Sequence, residues 1–178
     1  MSAAAAWDGE IPGATRGRLD AGGIGTNYYR AGSGPVTILL HGGGAGADSY
    51  GNWRGALGLF ARDFDVIAMD MIGFGHSDKP SPDGFEYAQE ARVAHLVAFI
   101  EALDAGPVNL VGNSMGGMTS MGAAIERPEL VNRVVLMGSA GVQAPMSEAL
   151  KSITFYDETP AGMRRIVEVL TNPGFEPD

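Results

Sequence analysis

The run Val108-Asn109-Leu110-Val111-Gly112-Asn113-Ser114-Met115-Gly116-Gly117 constrains this chain most, because a short apolar strand passes through Gly-x-Ser-x-Gly straight into a helical segment. That pattern demands a sharp strand-turn-helix. Gly112 and Gly116 flank the turn, where a side chain would meet the backbone as it doubles back, and Gly117 lets the helix lie close against the strands. Ser114 then stands exposed at the carboxyl end of a strand, with the Met115 amide at a helix N-terminus facing the place where an oxyanion could form. A glycine-rich βα turn that merely contains a serine has the same local pattern, so the rest of the chain decides between the two readings.

Val36–Leu40 is continuously apolar, as expected for a parallel strand covered on both faces, and it ends in His41-Gly42-Gly43-Gly44-Ala45-Gly46-Ala47. Residues 53–62 carry helical spacing and 64–69 form a second buried strand that stops at Asp70, which makes a βαβ unit. Ahead of it, residues 18–30 read as an antiparallel hairpin at the sheet edge, turning at Asp20-Ala21-Gly22-Gly23. The stripe Val93, Leu96, Val97, Ile100 and Leu103 predicts a helix over 86–103 laid on the sheet. The elbow helix is expected over 115–127, stopped by Pro128, and Val131–Met137 is a further strand. Beyond Gly141 the spacing predicts short helices over 147–153 and 161–170 and no further strand. The alternation defines an α/β fold with a doubly wound, mostly parallel sheet, which binds ligands at the carboxyl ends of its strands. The expected divisions are a loosely held segment 1–16, a core 17–143 and a helical segment 144–178.

At 178 residues with 45% hydrophobic and 19% charged residues, the chain can form one globular, soluble domain with a sizeable core. A net charge of -9 argues against a nucleic-acid partner, which needs a basic face. The apolar runs fall far short of a membrane span. The absence of cysteine excludes disulfides and thiolate metal sites, and residues 1–8 carry neither the basic nor the apolar region of a signal peptide, so a cytoplasmic location is expected.

The glycine loop has a rival reading. Gly42-Gly43-Gly44-Ala45-Gly46-Ala47 fits G-x-G-x-x-A after a strand, and Asp70 ends the following strand about 20 residues on, where a dinucleotide site carries its ribose-binding acid. Against it, Asp48-Ser49-Tyr50-Gly51-Asn52 is expected to separate the glycines from the helix, and the serine elbow is left unexplained. A phosphate loop is excluded because no Lys-Ser/Thr follows the glycines. The nucleophile reading uses both loops, since Gly43 supplies a second amide beside Met115.

Taken in order, His41-Gly42-Gly43-Gly44-Ala45-Gly46, Gly51-Asn52-Trp53, Asp70-Met71-Ile72-Gly73-Phe74-Gly75-His76-Ser77 and Gly112-Asn113-Ser114-Met115-Gly116-Gly117 resemble the α/β-hydrolase family. More narrowly they are similar to the meta-cleavage product hydrolases, which break carbon–carbon bonds in bacterial aromatic-ring degradation. The resemblance covers about residues 17–178 and implies an α/β-hydrolase sheet, with 144–178 as the start of a helical lid. It implies Ser114 as the catalytic nucleophile, Gly43 and Met115 as oxyanion-hole residues, and Gly42, Gly44, Asn52 and Asn113 against a small acidic or ester substrate. No metal or organic cofactor is implied.

A serine hydroxyl needs a base oriented by an acid. The family takes these from an Asp and a His C-terminal to the lid, and this chain reaches Asp178 inside it. Two strand-helix units, on the order of 60 residues at about 30 per unit, are expected to be missing. Of the three histidines, His41 is expected to be structural and His95 to sit on or under a helix, which leaves His76 as the substitute base. No acid stands at Gly138-Ser139-Ala140-Gly141. An ordinary carboxylesterase, and a binding protein that keeps the pocket without the base, remain as alternatives. If the chain ends at Asp178, the strand Val131–Met137 is expected to leave an open apolar edge, and a dimer to bury it.

Overall fold

The computed structural model describes residues 9–44, 46–141, 145–148, 150, 151, 157 and 159–171. The expectations for 1–8, 142–144, 149, 152–156, 158 and 172–178 lie outside them. Two compact units divide at Gly141. In the first, strands β1 (Thr15–Ala21), β2 (Ile24–Gly32), β3 (Val36–Leu40), β4 (Asp65–Met69), β5 (Val108–Asn113) and β6 (Val131–Met137) form one sheet in the order β1-β2-β4-β3-β5-β6. The pairs β1/β2 and β2/β4 are antiparallel, and β4, β3, β5 and β6 run parallel. The sheet is mixed because the hairpin arrives from the N-terminal side and adds its strands against the direction of the βαβ core.

Helices α1 (Ser49–Trp53), α2 (Leu57–Phe60), α3 (Gln89–Leu103) and α4 (Met115–Glu126) connect the strands. Alternate residues of the apolar strands feed opposite faces. Ile38, Leu40, Ile67, Met69 and Leu110 pack with Val93, Leu96 and Ile100 of α3 and Ala123 of α4. Leu39, Val66, Ala68 and Val111 pack on the other face with Trp53 of α1 and Leu57 of α2. This is the doubly wound arrangement the strand pattern predicts, with both faces of β3, β4 and β5 covered.

Two local differences have physical causes. Ile11 is buried with Tyr29 and Leu39, and β1 starts at Thr15, so part of the stretch expected to be loose is packed on the sheet. The helix expected over 53–62 is two short helices, the first starting at Ser49. The Asp48 carboxylate caps it by accepting from the Gly51 amide at 2.6 Å, and Gly51, Gly55 and Gly58 weaken any longer helix. The glycine loop therefore runs almost directly into a helix, and the separation argued against the dinucleotide reading is absent.

The elbow is where close packing is most exacting. A Cβ on Gly112 would press on the Gly116 carbonyl and lie 2.5 Å from Gly117 Cα. One on Gly116 would lie 2.6 Å from the carbonyl oxygens of Leu40 and His41, so Gly116 makes room for the neighbouring strand β3. Backbone cannot swing aside as a side chain can. Gly112→Ala is expected to cost about 3 kcal/mol, read as a lower urea midpoint at unchanged slope.

On the outer side, β6 pairs only with β5 among the described residues, and Val135, Leu136 and Met137 are 52, 44 and 45% exposed. In the second unit Glu148, Leu150 and Lys151 are helical. There α5 (Pro160–Leu170) is capped by Thr159, whose Oγ1 accepts from the Gly162 amide at 2.9 Å. Among the described residues no helix is long and apolar enough to cross a membrane.

Candidate active site

Ser114 joins β5 to α4 at φ +51° and ψ -111°. A non-glycine residue there stores about 1–3 kcal/mol, and it persists only where the surroundings over-determine it. They do so here through the backbone. The Ser114 amide donates to the Met137 carbonyl at 2.9 Å, and the Ser114 carbonyl accepts from the amides of Gly117, Met118 and Ala140 at 3.0, 3.2 and 3.0 Å. The side chain caps nothing and is partly exposed. The Met115 amide, first in α4, has no carbonyl a turn earlier to bond.

The glycine loop lies against this elbow. A Cβ on Gly42 would sit 3.3 Å from Asn113 Nδ2 and 3.6 Å from Ser114 Cβ, and one on Gly43 3.3 Å from Met115 Sδ. Asn52 holds the two together, its Oδ1 accepting from the Gly42 amide at 2.9 Å and from Asn113 Nδ2 at 3.0 Å. Gly42, Gly43, Asp48, Asn52 and Asn113 line a cleft of about 190 Å³. Gly44, at φ +124°, faces open space and does not line it. Close approaches and hydrogen bonds thus bring Ser114, Met115, Gly42, Gly43, Asn52 and Asn113 together, while Ser114 and Met115, like Gly44, are not among the residues that line the cleft.

His41 is fully buried. Its Nε2 accepts from the Met71 amide at 3.0 Å, so the ring proton sits on Nδ1 and is donated to the Gly42 carbonyl at 2.7 Å. Burial pushes its pKa down, against the opposing pull of the Gly42 bond and of Asp70 and Asp48. His95 lies on the buried face of α3, where Nδ1 accepts from the Ile72 amide at 3.1 Å and Nε2 lies 2.6 Å from Thr26 Oγ1. Burial lowers its pKa to about 4. His76, the candidate substitute base, is held through its backbone: its amide donates to Asp70 and its carbonyl accepts from Arg18. None of these bonds leads to Ser114.

The part Asp70 plays as a buried hydrogen-bond hub is what sequence reasoning missed. At 1% exposure its Oδ1 accepts from the Ser49 amide and hydroxyl at 2.7 and 2.6 Å, and its Oδ2 from Asn27 Nδ2 and the His76 amide at 2.8 and 2.9 Å. Every one of these donors is internal. A ribose could not reach the carboxylate, and Asp48 puts a second one at the helix start where a pyrophosphate would have to bind. These two facts dispose of the dinucleotide reading. The signal in the sequence was the polar end of a buried strand followed by a turn region carrying two glycines, Gly73 and Gly75.

Fold and site define a class: an α/β protein that presents a strained serine on a strand-turn-helix elbow beside a glycine-rich loop. Residues 35–177 match the alpha/beta hydrolase fold family, and the chain belongs to it. It is 50% identical over 161 residues to the 2-hydroxy-6-oxo-6-(2'-aminophenyl)hexa-2,4-dienoic acid hydrolase of Metapseudomonas resinovorans, covering 90% of this chain and 54% of that one. Among solved structures, a serine hydrolase involved in carbazole degradation superposes with a TM-score of 0.79 at 47% identity, over 93% of this chain and 59% of that one. The meta-cleavage product hydrolase of Pseudomonas fluorescens IP01 gives 0.78 at 34%, over 85% and 55%. The chain spans about half the length of the curated relatives it matches.

Proposed function

We propose that the whole protein hydrolyses the carbon–carbon bond beside the oxo group of a 2-hydroxy-6-oxo-dienoate ring-fission product. The names of its relatives support the substrate class. One observation carries the chemistry: Ser114 is held at a strained φ against a loop that Asn52 ties to the elbow. In this reading the Ser114 hydroxyl adds to the oxo carbon while its proton passes to the base, which the resemblance places with its acid beyond the helical lid. The carbonyl oxygen becomes an oxyanion between the Gly43 and Met115 amides. Its collapse breaks the carbon–carbon bond, the dienoate leaves and takes up a proton, and water releases the acyl group as a carboxylic acid. Asn52 Nδ2 and Asn113 Oδ1 are the amide atoms not used in tying the loop, and they meet the polar end of the substrate. Residues 144–178 form the start of the lid, a role suited to α5 with its apolar Met163, Ile166, Val167 and Leu170.

The test follows an activated aryl ester and a dienoate ring-fission product by absorbance. The expected result is slow turnover that falls to background in Ser114→Ala, because Ser114 acting with the oxyanion donors retains part of the acceleration without a positioned base. Activity unchanged in Ser114→Ala would place the chemistry elsewhere. The reading also includes self-association of this chain through β6, supported by the exposed Val135, Leu136 and Met137. Light scattering is expected to give a dimer or larger species, and a stable monomer at micromolar concentration would contradict it.

A further inference from the structure

We infer that His41 is a positioning residue that sets the direction of the Gly43 amide. The inference rests on the reading of that amide as an oxyanion donor. The Gly42 carbonyl and the Gly43 N–H belong to one planar peptide unit and point in opposite directions. Fixing one therefore aims the other. The carbonyl is taken by His41 Nδ1–H at 2.7 Å, and the Gly42 N–H by Asn52 Oδ1 at 2.9 Å, so both polar groups of Gly42 end on side chains.

The need for such a clamp follows from the run Gly42-Gly43-Gly44, where no Cβ opposes rotation about the bonds flanking the peptide. An unclamped peptide between Gly42 and Gly43 can flip, and the flip presents a carbonyl oxygen where a donor is required. A lone pair facing an oxyanion repels it. The imidazole is itself anchored against turning: it is fully buried, it stands edge-on to Phe74 with ring centroids 5.1 Å apart, and its Nε2 accepts from the Met71 amide at 3.0 Å. Met71 follows Asp70, whose bonds from Asn27 and Ser49 fix that loop to β2 and α1 and whose bond from the His76 amide closes the loop on itself. The ring thus carries the rigidity of the sheet end to the one peptide whose orientation matters, and it does so without touching substrate.

The test uses this chain with p-nitrophenyl acetate, taking Ser114→Ala as the baseline. His41→Asn places an amide nitrogen near the position of Nδ1 and can still donate to the Gly42 carbonyl, whereas His41→Gln reaches toward the Nε2 position and His41→Phe fills the space with no donor. The expected result is that His41→Phe and His41→Gln lower kcat about 100-fold with KM within about twofold, while His41→Asn stays within about threefold of the parent. Thermal unfolding separates this from loss of fold. Equal kcat in all three variants, or a loss in His41→Asn as large as in His41→Phe at similar Tm, overturns the inference while leaving Ser114 as the nucleophile. Turnover that survives Ser114→Ala instead removes the underlying reading. Should the variants fail to fold, nitrogen NMR of the parent's imidazoles decides: a neutral His41 with its proton on Nδ1 is required, and a proton on Nε2 overturns the assignment.

Discussion

Asp70→Ala is expected to remove at least about 4 kcal/mol of stability, a large part of the roughly 5–15 kcal/mol that holds a domain folded. The substitution takes away both oxygens of a buried carboxylate and strands the donors they satisfied: the Ser49 amide and hydroxyl, Asn27 Nδ2 and the His76 amide. Each buried donor left unpaired costs about 1–3 kcal/mol. Among the described residues no cation touches the carboxylate directly; Arg16 Nε donates to Asn27 Oδ1 at 2.7 Å, and Asn27 in turn donates to Asp70, so positive charge reaches it through one amide. Three separate pieces of chain lose their common anchor, namely β2, the start of α1 and the loop after β4. Asp70→Asn keeps one acceptor oxygen and turns an NH2 toward the remaining donors, so about half the loss is expected. Urea unfolding followed by circular dichroism checks both, and an Asp70→Ala midpoint close to the parent's would show that the hub does not hold the sheet end together.

Much of the architecture was legible because it is written in short-range periodicity. The apolar runs of β3, β4 and β5, the stripe on α3 and the Gly-x-Ser-x-Gly elbow each declare themselves within a few residues, and the structure places all of them within a residue or three of expectation. The start of α1 was also within reach, since Asp48 stands where an N-cap belongs. Less legible were the bonds that make the site rigid. His41 to Met71, His95 to Thr26 and Asp70 to Asn27 join residues 30, 69 and 43 positions apart, and no local pattern announces a partner at that distance. The same holds for Asn52: the family resemblance implies a substrate contact, but its side-chain oxygen is occupied by Gly42 and Asn113. Residue type identified the chemistry, whereas the fold decided which atoms remained available to perform it.

The other large effect is expected in mild acid. His95 is buried among neutral partners, accepting from the Ile72 amide and paired with Thr26 Oγ1, and its pKa falls from 6.5 to about 4 through burial. Protonation would require an N–H where the Ile72 amide already points, and among the described residues no carboxylate bonds the ring to receive it. In the unfolded chain the same imidazole titrates near its ordinary value, so between pH 6.5 and 4 the unfolded state binds more protons and stability falls as the pH is lowered. The full contribution is present above pH 6.5, and about 3 kcal/mol of it is lost by pH 4, below which both states are protonated. His41, also pushed down by burial, adds to the loss in the same direction. Urea midpoints measured from pH 7.5 to 4 should therefore drop steeply through this window. In His95→Asn, which cannot take up a proton, the slope of stability against pH should be markedly shallower, even where the variant is less stable at pH 7. A slope identical to the parent's would show that His95 is already charged in the folded protein, or that another group governs the acid transition.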